Sequence, residues 1–140
     1  MDKTQRDPSE YIDSLPEPVR RDIHLLDEAI AGVMPDAERV MWEGVFWGGT
    51  EQHIIGYGEL VQPRPGKKTV EWFVVGLTVQ KDAISVYVNA VEHGQYLAEK
   101  YASTLGTVST GKSVIRFRTA SDLNLEALLD LVRRATASSA

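Results

Sequence analysis

Residues 106–113, Gly106-Thr107-Val108-Ser109-Thr110-Gly111-Lys112-Ser113, satisfy the G-x-x-x-x-G-K-[ST] expression of a phosphate-binding loop letter by letter. Such a loop works because a strand leads into it and a helix leaves it, so that free helix N-terminal amides face the phosphates. Here a helical period precedes the motif and the alternating stretch Val114-Ile115-Arg116-Phe117 follows it. The segment therefore reads as a helix-to-strand connection, and no triphosphatase is expected. Lys112, Arg116 and Arg118 fall at even spacing and so share one face of that strand, where they could grip an anion. The alternative is that neighbouring acids or water satisfy them.

Other groups offer metal or ligand chemistry. His24, His53 and His93 are far apart and lack H-x-x-x-H or H-E-x-x-H spacing, so no preformed zinc site is expected. His24 and Glu28 stand one helical turn apart with Asp27 beside them, an oxygen-plus-imidazole set able to hold a divalent metal weakly. The ordinary alternative is a solvated helix face of mixed ion pairs including Arg20 and Arg21. Trp42, Trp47 and Trp72, with Tyr57 and Tyr87, either fill a core or line a pocket for a planar or apolar ligand. Trp42, Trp72, Lys112 and Arg116 form the candidate set for a small-molecule or anion-binding module. The absence of cysteine removes thiolate catalysis, iron–sulfur ligation and cysteine redox switching. Gly-x-Ser-x-Gly is absent too, and no spacing assembles an acid–base pair, so the chain is read as a non-enzyme.

The elements that must carry these groups follow from periodicity. Asp7 can cap a short helix with Pro8 in its first turn, and Tyr11, Ile12 and Leu15 supply its apolar side. Val19, Ile23, Leu26, Ile30 and Val33 make one stripe of a longer helix from about Glu17, stopped by Gly32 and Pro35. The period then changes to two. Strands are expected over Val40–Trp47, His53–Val61, Val70–Val79 and Ile84–Val88, with turns at Gly48–Glu51 and Gln80–Asp82 and a polar loop over Gln62–Lys68. Gly56 and Gly58 leave room for a close neighbour or ligand. Helical spacing returns over Gly94–Leu105, a fifth strand covers Ser113–Thr119, and Asn124 caps a closing helix before a frayed tail at Ala135–Ala140. Leu123 and Leu128 are placed to staple that helix, and Arg133 and Arg134 suit its C-terminal dipole.

These elements predict an α+β domain: an antiparallel meander of about five strands packed by N-terminal and C-terminal helices. With 140 residues, one domain over 1–140 is expected, its core at about 7–135. Fifteen Lys and Arg against 20 Asp and Glu give a net charge of −5, which argues against nucleic acid and anionic lipid as partners. Residues 1–60 hold 13 acids and 5 bases, whereas residues 61–140 hold 7 acids and 10 bases, so a cation or basic partner would be drawn to the N-terminal half. The opening thirty residues lack an apolar signal core and no stretch is apolar enough to span a bilayer, so a cytoplasmic location is expected.

Pro8–Ile12, Ser14-Leu15-Pro16-Glu17-Pro18-Val19-Arg20 and Met34-Pro35-Asp36-Ala37-Glu38, leading to Trp42, resemble the opening of the bacterial YdhG-like proteins. Tyr87-Val88, Tyr96-Leu97, Tyr101, Leu105-Gly106, Gly111-Lys112, Ile115-Arg116-Phe117 and Asp122-Leu123-Asn124-Leu125 look like the C-terminal pattern of the same family, a domain of unknown function. The likeness spans roughly residues 7–135 and implies helices packed on an antiparallel sheet. Some members are described as frataxin-like with a proposed part in iron handling. By that resemblance the acids Asp22, Asp27, Glu28, Asp36, Glu38 and Glu43 would form an iron-attracting ridge, interrupted by Arg20, Arg21 and Arg39. Asp22, His24, Asp27 and Glu28 are the candidate metal ligands, with ferrous iron or a small ligand as partner; a purely structural or interaction domain, homodimeric through a sheet edge or face, is the third reading.

Overall fold

In the computed structural model, which describes residues 2–45, 51–64, 67–80 and 83–139, helix α1 (Pro8–Asp13) starts as its residues dictate. The Asp7 carboxylate accepts a hydrogen bond from the Ser9 amide at 2.9 Å. Helix α2 (Val19–Val33) turns its stripe of Ile23, Leu26 and Ile30 wholly into the core. Helix α4 (Leu125–Ser139) opens on Asn124, whose side-chain oxygen accepts from the Ala127 amide at 3.2 Å, with Leu123 and Leu128 buried on either side of the cap.

The strands β1 (Asp2–Thr4), β2 (Arg39–Val45), β3 (Glu51–Tyr57), β6 (Val75–Gln80), β7 (Ala83–Val88), β10 (Ser109–Thr110) and β11 (Val114–Phe117) form one antiparallel sheet. Its order is β1-β2-β3-β6-β7-β11-β10, so seven strands stand where about five were expected. The two extra members are the short edges β1 and β10. Hairpins β4 (Leu60–Arg64) with β5 (Lys67–Trp72) and β8 (Val91–Glu92) with β9 (Gln95–Tyr96) stand outside it. The architecture is α+β with helices at both ends of the chain, and no helix among the described residues is long and apolar enough to cross a membrane.

Several boundaries differ from expectation for physical reasons. The polar loop over Gln62–Lys68 is mostly hairpin, and Pro63 sits where the β4–β5 register slips between Gln62 and Arg64, a position that needs no ladder amide. The single strand over His53–Val61 breaks at Gly58, whose φ of +76° turns the chain out of the sheet. Val70–Val79 likewise divides at Phe73 and Val74, where the chain steps from the hairpin into β6. The helix over Gly94–Leu105 shrinks to α3 (Leu97–Lys100) and a 3-10 turn at Ala102–Thr104. The tail expected to fray is helical through Ser139, so Arg133 and Arg134 do not lie in the last turn. Trp47 lies outside the described residues, and the turns placed at Gly48–Glu51 and Gln80–Asp82 lie partly outside them.

Alternation divides the sheet into two faces. Met41, Ile55, Tyr57, Leu77, Val86 and Ile115 meet the helices, while Trp42, Ile54, Tyr87 and Val114 point the other way and pack with Phe73. Gly56 and Gly76 are register partners on that second face. A Cβ on Gly56 would lie 2.6 Å from the Trp42 ring, and one on Gly76 would lie 2.4 Å from Phe73 Cε1. The room left by Gly56 therefore holds the protein's own aromatic rings.

Candidate functional site

Strand β1 pairs antiparallel with β2, setting Lys3 opposite Trp42. The Lys3 ammonium stands 5.7 Å from the Trp42 ring centre, within cation–π range. It also lies 3.1 Å from a Glu71 carboxylate oxygen and 3.9 Å from one of Glu59. The hydrogen bond to Glu71, reinforced by the charges of Glu71, Glu59 and Glu38, raises the Lys3 ammonium above its ordinary pKa. Trp72 comes from the end of β5 and meets Trp42 edge-on, ring centres 5.1 Å apart, and stacks on Phe73 at 4.4 Å. Between these groups lies a cavity of about 250 Å³, lined by Lys3, Asp36, Glu38, Trp42, Glu59 and Trp72 among others.

The expected ligand set divides. Trp42 and Trp72 come together, as described. Lys112 is exposed in the turn between β10 and β11, and Arg116 is exposed on β11. Four strand positions separate β2 from β11 in the sheet order, on the order of 19 Å at the usual spacing. The loop motif leads into extended β11, and its first glycine, Gly106, bridges Leu123, so the helix N-terminus of a phosphate-binding loop is absent from it.

The expected metal set divides as well. Asp27 is buried and faces inward, where Arg39 Nε and Nη2 donate to its two oxygens at 3.0 and 2.8 Å and the Tyr57 hydroxyl donates at 2.6 Å. Burial and the adjacent Asp27 charge push the Tyr57 hydroxyl well above its ordinary pKa, so it stays a proton donor. Asp22 accepts from the Ala120 amide at 3.1 Å, tying α2 to the turn before α4. His24 and Glu28 pair with each other at 3.3 Å on the exposed side. Glu43 is bound elsewhere: Thr4 and Arg6 donate to it at 2.7 and 3.2 Å, and His53 Nδ1 lies 2.6 Å away. Of the six ridge acids, Asp36 and Glu38 line the cavity beside the tryptophans. Among the described residues no three His, Asp or Glu side chains are grouped so as to hold a metal ion.

Lys3, Glu59 and Glu71 are the site residues that sequence reasoning missed, since only strand pairing brings residues so distant in the chain together. Asp27 was legible in principle: four residues after Ile23 and three before Ile30, it falls on the buried stripe of α2 and needs a partner there. No protein-family model, curated protein or solved structure matches the chain.

Proposed function

We propose that the chain is a ligand-binding module whose site is the Trp42–Trp72 cavity and whose ligand is a small organic cation, an amine or quaternary ammonium. One observation carries this reading: the cavity already handles an ammonium, that of Lys3, with an indole face and carboxylates around it. Among the described residues Lys3 is the one cation lining the cavity, against Asp36, Glu38 and Glu59 on its wall, so their negative charge is in excess beside unfilled space. Carboxylates dispersed around aromatic rings suit a diffuse organic charge, whereas a metal ion needs oxygens converging at about 2.0–2.6 Å. This favours the organic cation over iron. With the proposal go the YdhG-like affiliation, a cytoplasmic location and a role in binding rather than catalysis.

The test is a titration with tetramethylammonium and with an uncharged isostere of the same shape, followed through the indole N–H resonances. Saturable shifts of Trp42 and Trp72 with the cation alone are expected, lost in Trp72→Leu and weakened in Glu59→Gln. An equal response to the uncharged compound, or none to either, would sink the reading.

A further inference from the structure

Arg116 and Arg118, left unused by the tryptophan cavity, differ from most cations of this protein. Lys3, Arg6, Arg20, Arg21, Arg39, Lys100, Arg133 and Arg134 each reach a carboxylate. Among the described residues no ion pair joins Lys112, Arg116 or Arg118 to an acid, although the chain is acidic overall. The sequence alternative that neighbouring acids satisfy this row is thus not realised.

The surroundings supply more than charge. Arg116 has Ser109 on β10 and Ser85 on β7 as its register partners, so small hydroxyl side chains flank it across both neighbouring strands. The Ser85 hydroxyl is buried and committed to Gln80 at 2.8 Å. On the other side Arg116, Arg118, Thr107, Ser109 and Asp122 line a cavity of about 460 Å³, with Val108 as an apolar wall. Two planar guanidinium groups with hydroxyl donors match the oxygens of a phosphoryl group, which arginine engages through paired N–H bonds. The volume exceeds what one phosphate needs and falls in the range of small-molecule sites. Asp122 places a carboxylate on the same wall, which disfavours highly charged polyphosphates.

The geometry points to a second site, for the phosphoryl group of a small phosphate monoester, at the β10–β11 end of the sheet. It uses Thr107, in the bend before β10, and Ser109, on β10, of the loop-like motif rather than helix amides, so magnesium and triphosphate take no part.

The experiment titrates inorganic phosphate, phenyl phosphate and acetate into the full chain, following backbone amide and arginine Nε–H resonances. Saturable shifts at Ser109, Arg116 and Arg118 are expected with both phosphates and not with acetate. Arg116→Gln/Arg118→Gln should weaken binding about tenfold or more, the equivalent of roughly 1.4 kcal/mol. Asp122→Asn should tighten it, an outcome that a merely solvated surface would not give. Tryptophan resonances of the distant cavity report that the variants are folded. Acetate shifts equal to those of phosphate, unchanged binding in the double variant, or no saturable shift at about 10 mM phosphate, where a site of ~1 mM Kd would be mostly filled, would overturn the assignment. Failure here leaves the ammonium proposal standing, because the two cavities share no residue.

Discussion

Asp27 sits on the core side of α2 because its charge is fully engaged there: two nitrogens of Arg39 and the Tyr57 hydroxyl surround its carboxylate. Removing it strands the Arg39 guanidinium and a buried phenol without their acceptor. Asp27→Ala is therefore expected to lower stability by about 3–5 kcal/mol in chemical denaturation, far more than loss of an exposed metal ligand would. Glu43 makes a second prediction. Burial would raise its pKa, but the hydrogen bonds from Thr4, His53 and Arg6 outweigh burial and hold the carboxyl below its usual 4.5. A group depressed in this way contributes stability above its unfolded pKa and loses that contribution as pH falls through the folded one. Wild type should thus lose stability below about pH 4.5 more steeply than Glu43→Gln, measured by thermal unfolding across pH 3 to 7. At this scale composition revealed the excess of acids in the first sixty residues but not their separate destinations, which depend on partners such as Arg39, Thr4 and Ala120.

At the scale of elements, the facing glycines of β3 and β6 are a seat for aromatic rings. Phe73, wholly buried, is carried there by the step from β5 into β6, and Trp42 joins it from β2. Gly76→Ala would drive a methyl into the Phe73 ring, and overpacking of this kind costs about 1–3 kcal/mol. We expect that loss together with displaced Trp72 and Phe73 resonances, since the rings stack. Unchanged resonances would contradict the seat. Helix α2 and the start of α4 were legible because apolar period, cap and staple all agree. The β4–β5 hairpin was not, because Pro63, Pro65 and Gly66 spell a loop to local propensity while pairing between β4 and β5 decides otherwise. The aromatic cluster had two open readings, core or pocket, and the structure assigns it both: Trp42 packs on Phe73 on one side and lines a cavity on the other.

Across the whole molecule, helices cover one face of the sheet and the β5–β6 step carries aromatic cover onto part of the other. Charge is distributed along the strand order. Carboxylates gather around β1, β2 and the base of the β4–β5 hairpin, and Arg116 and Arg118, which form no ion pair among the described residues, stand on and just after β11. The imbalance between the two halves of the chain was visible in the sequence; its arrangement along the strand order was not, because β11 joins the sheet beside β7 only through long-range pairing. The outermost strands, β1 and β10, run for three and two residues. A passing polypeptide finds little spare ladder there to zip onto, which disfavours polymerisation by strand addition at either margin of this sheet.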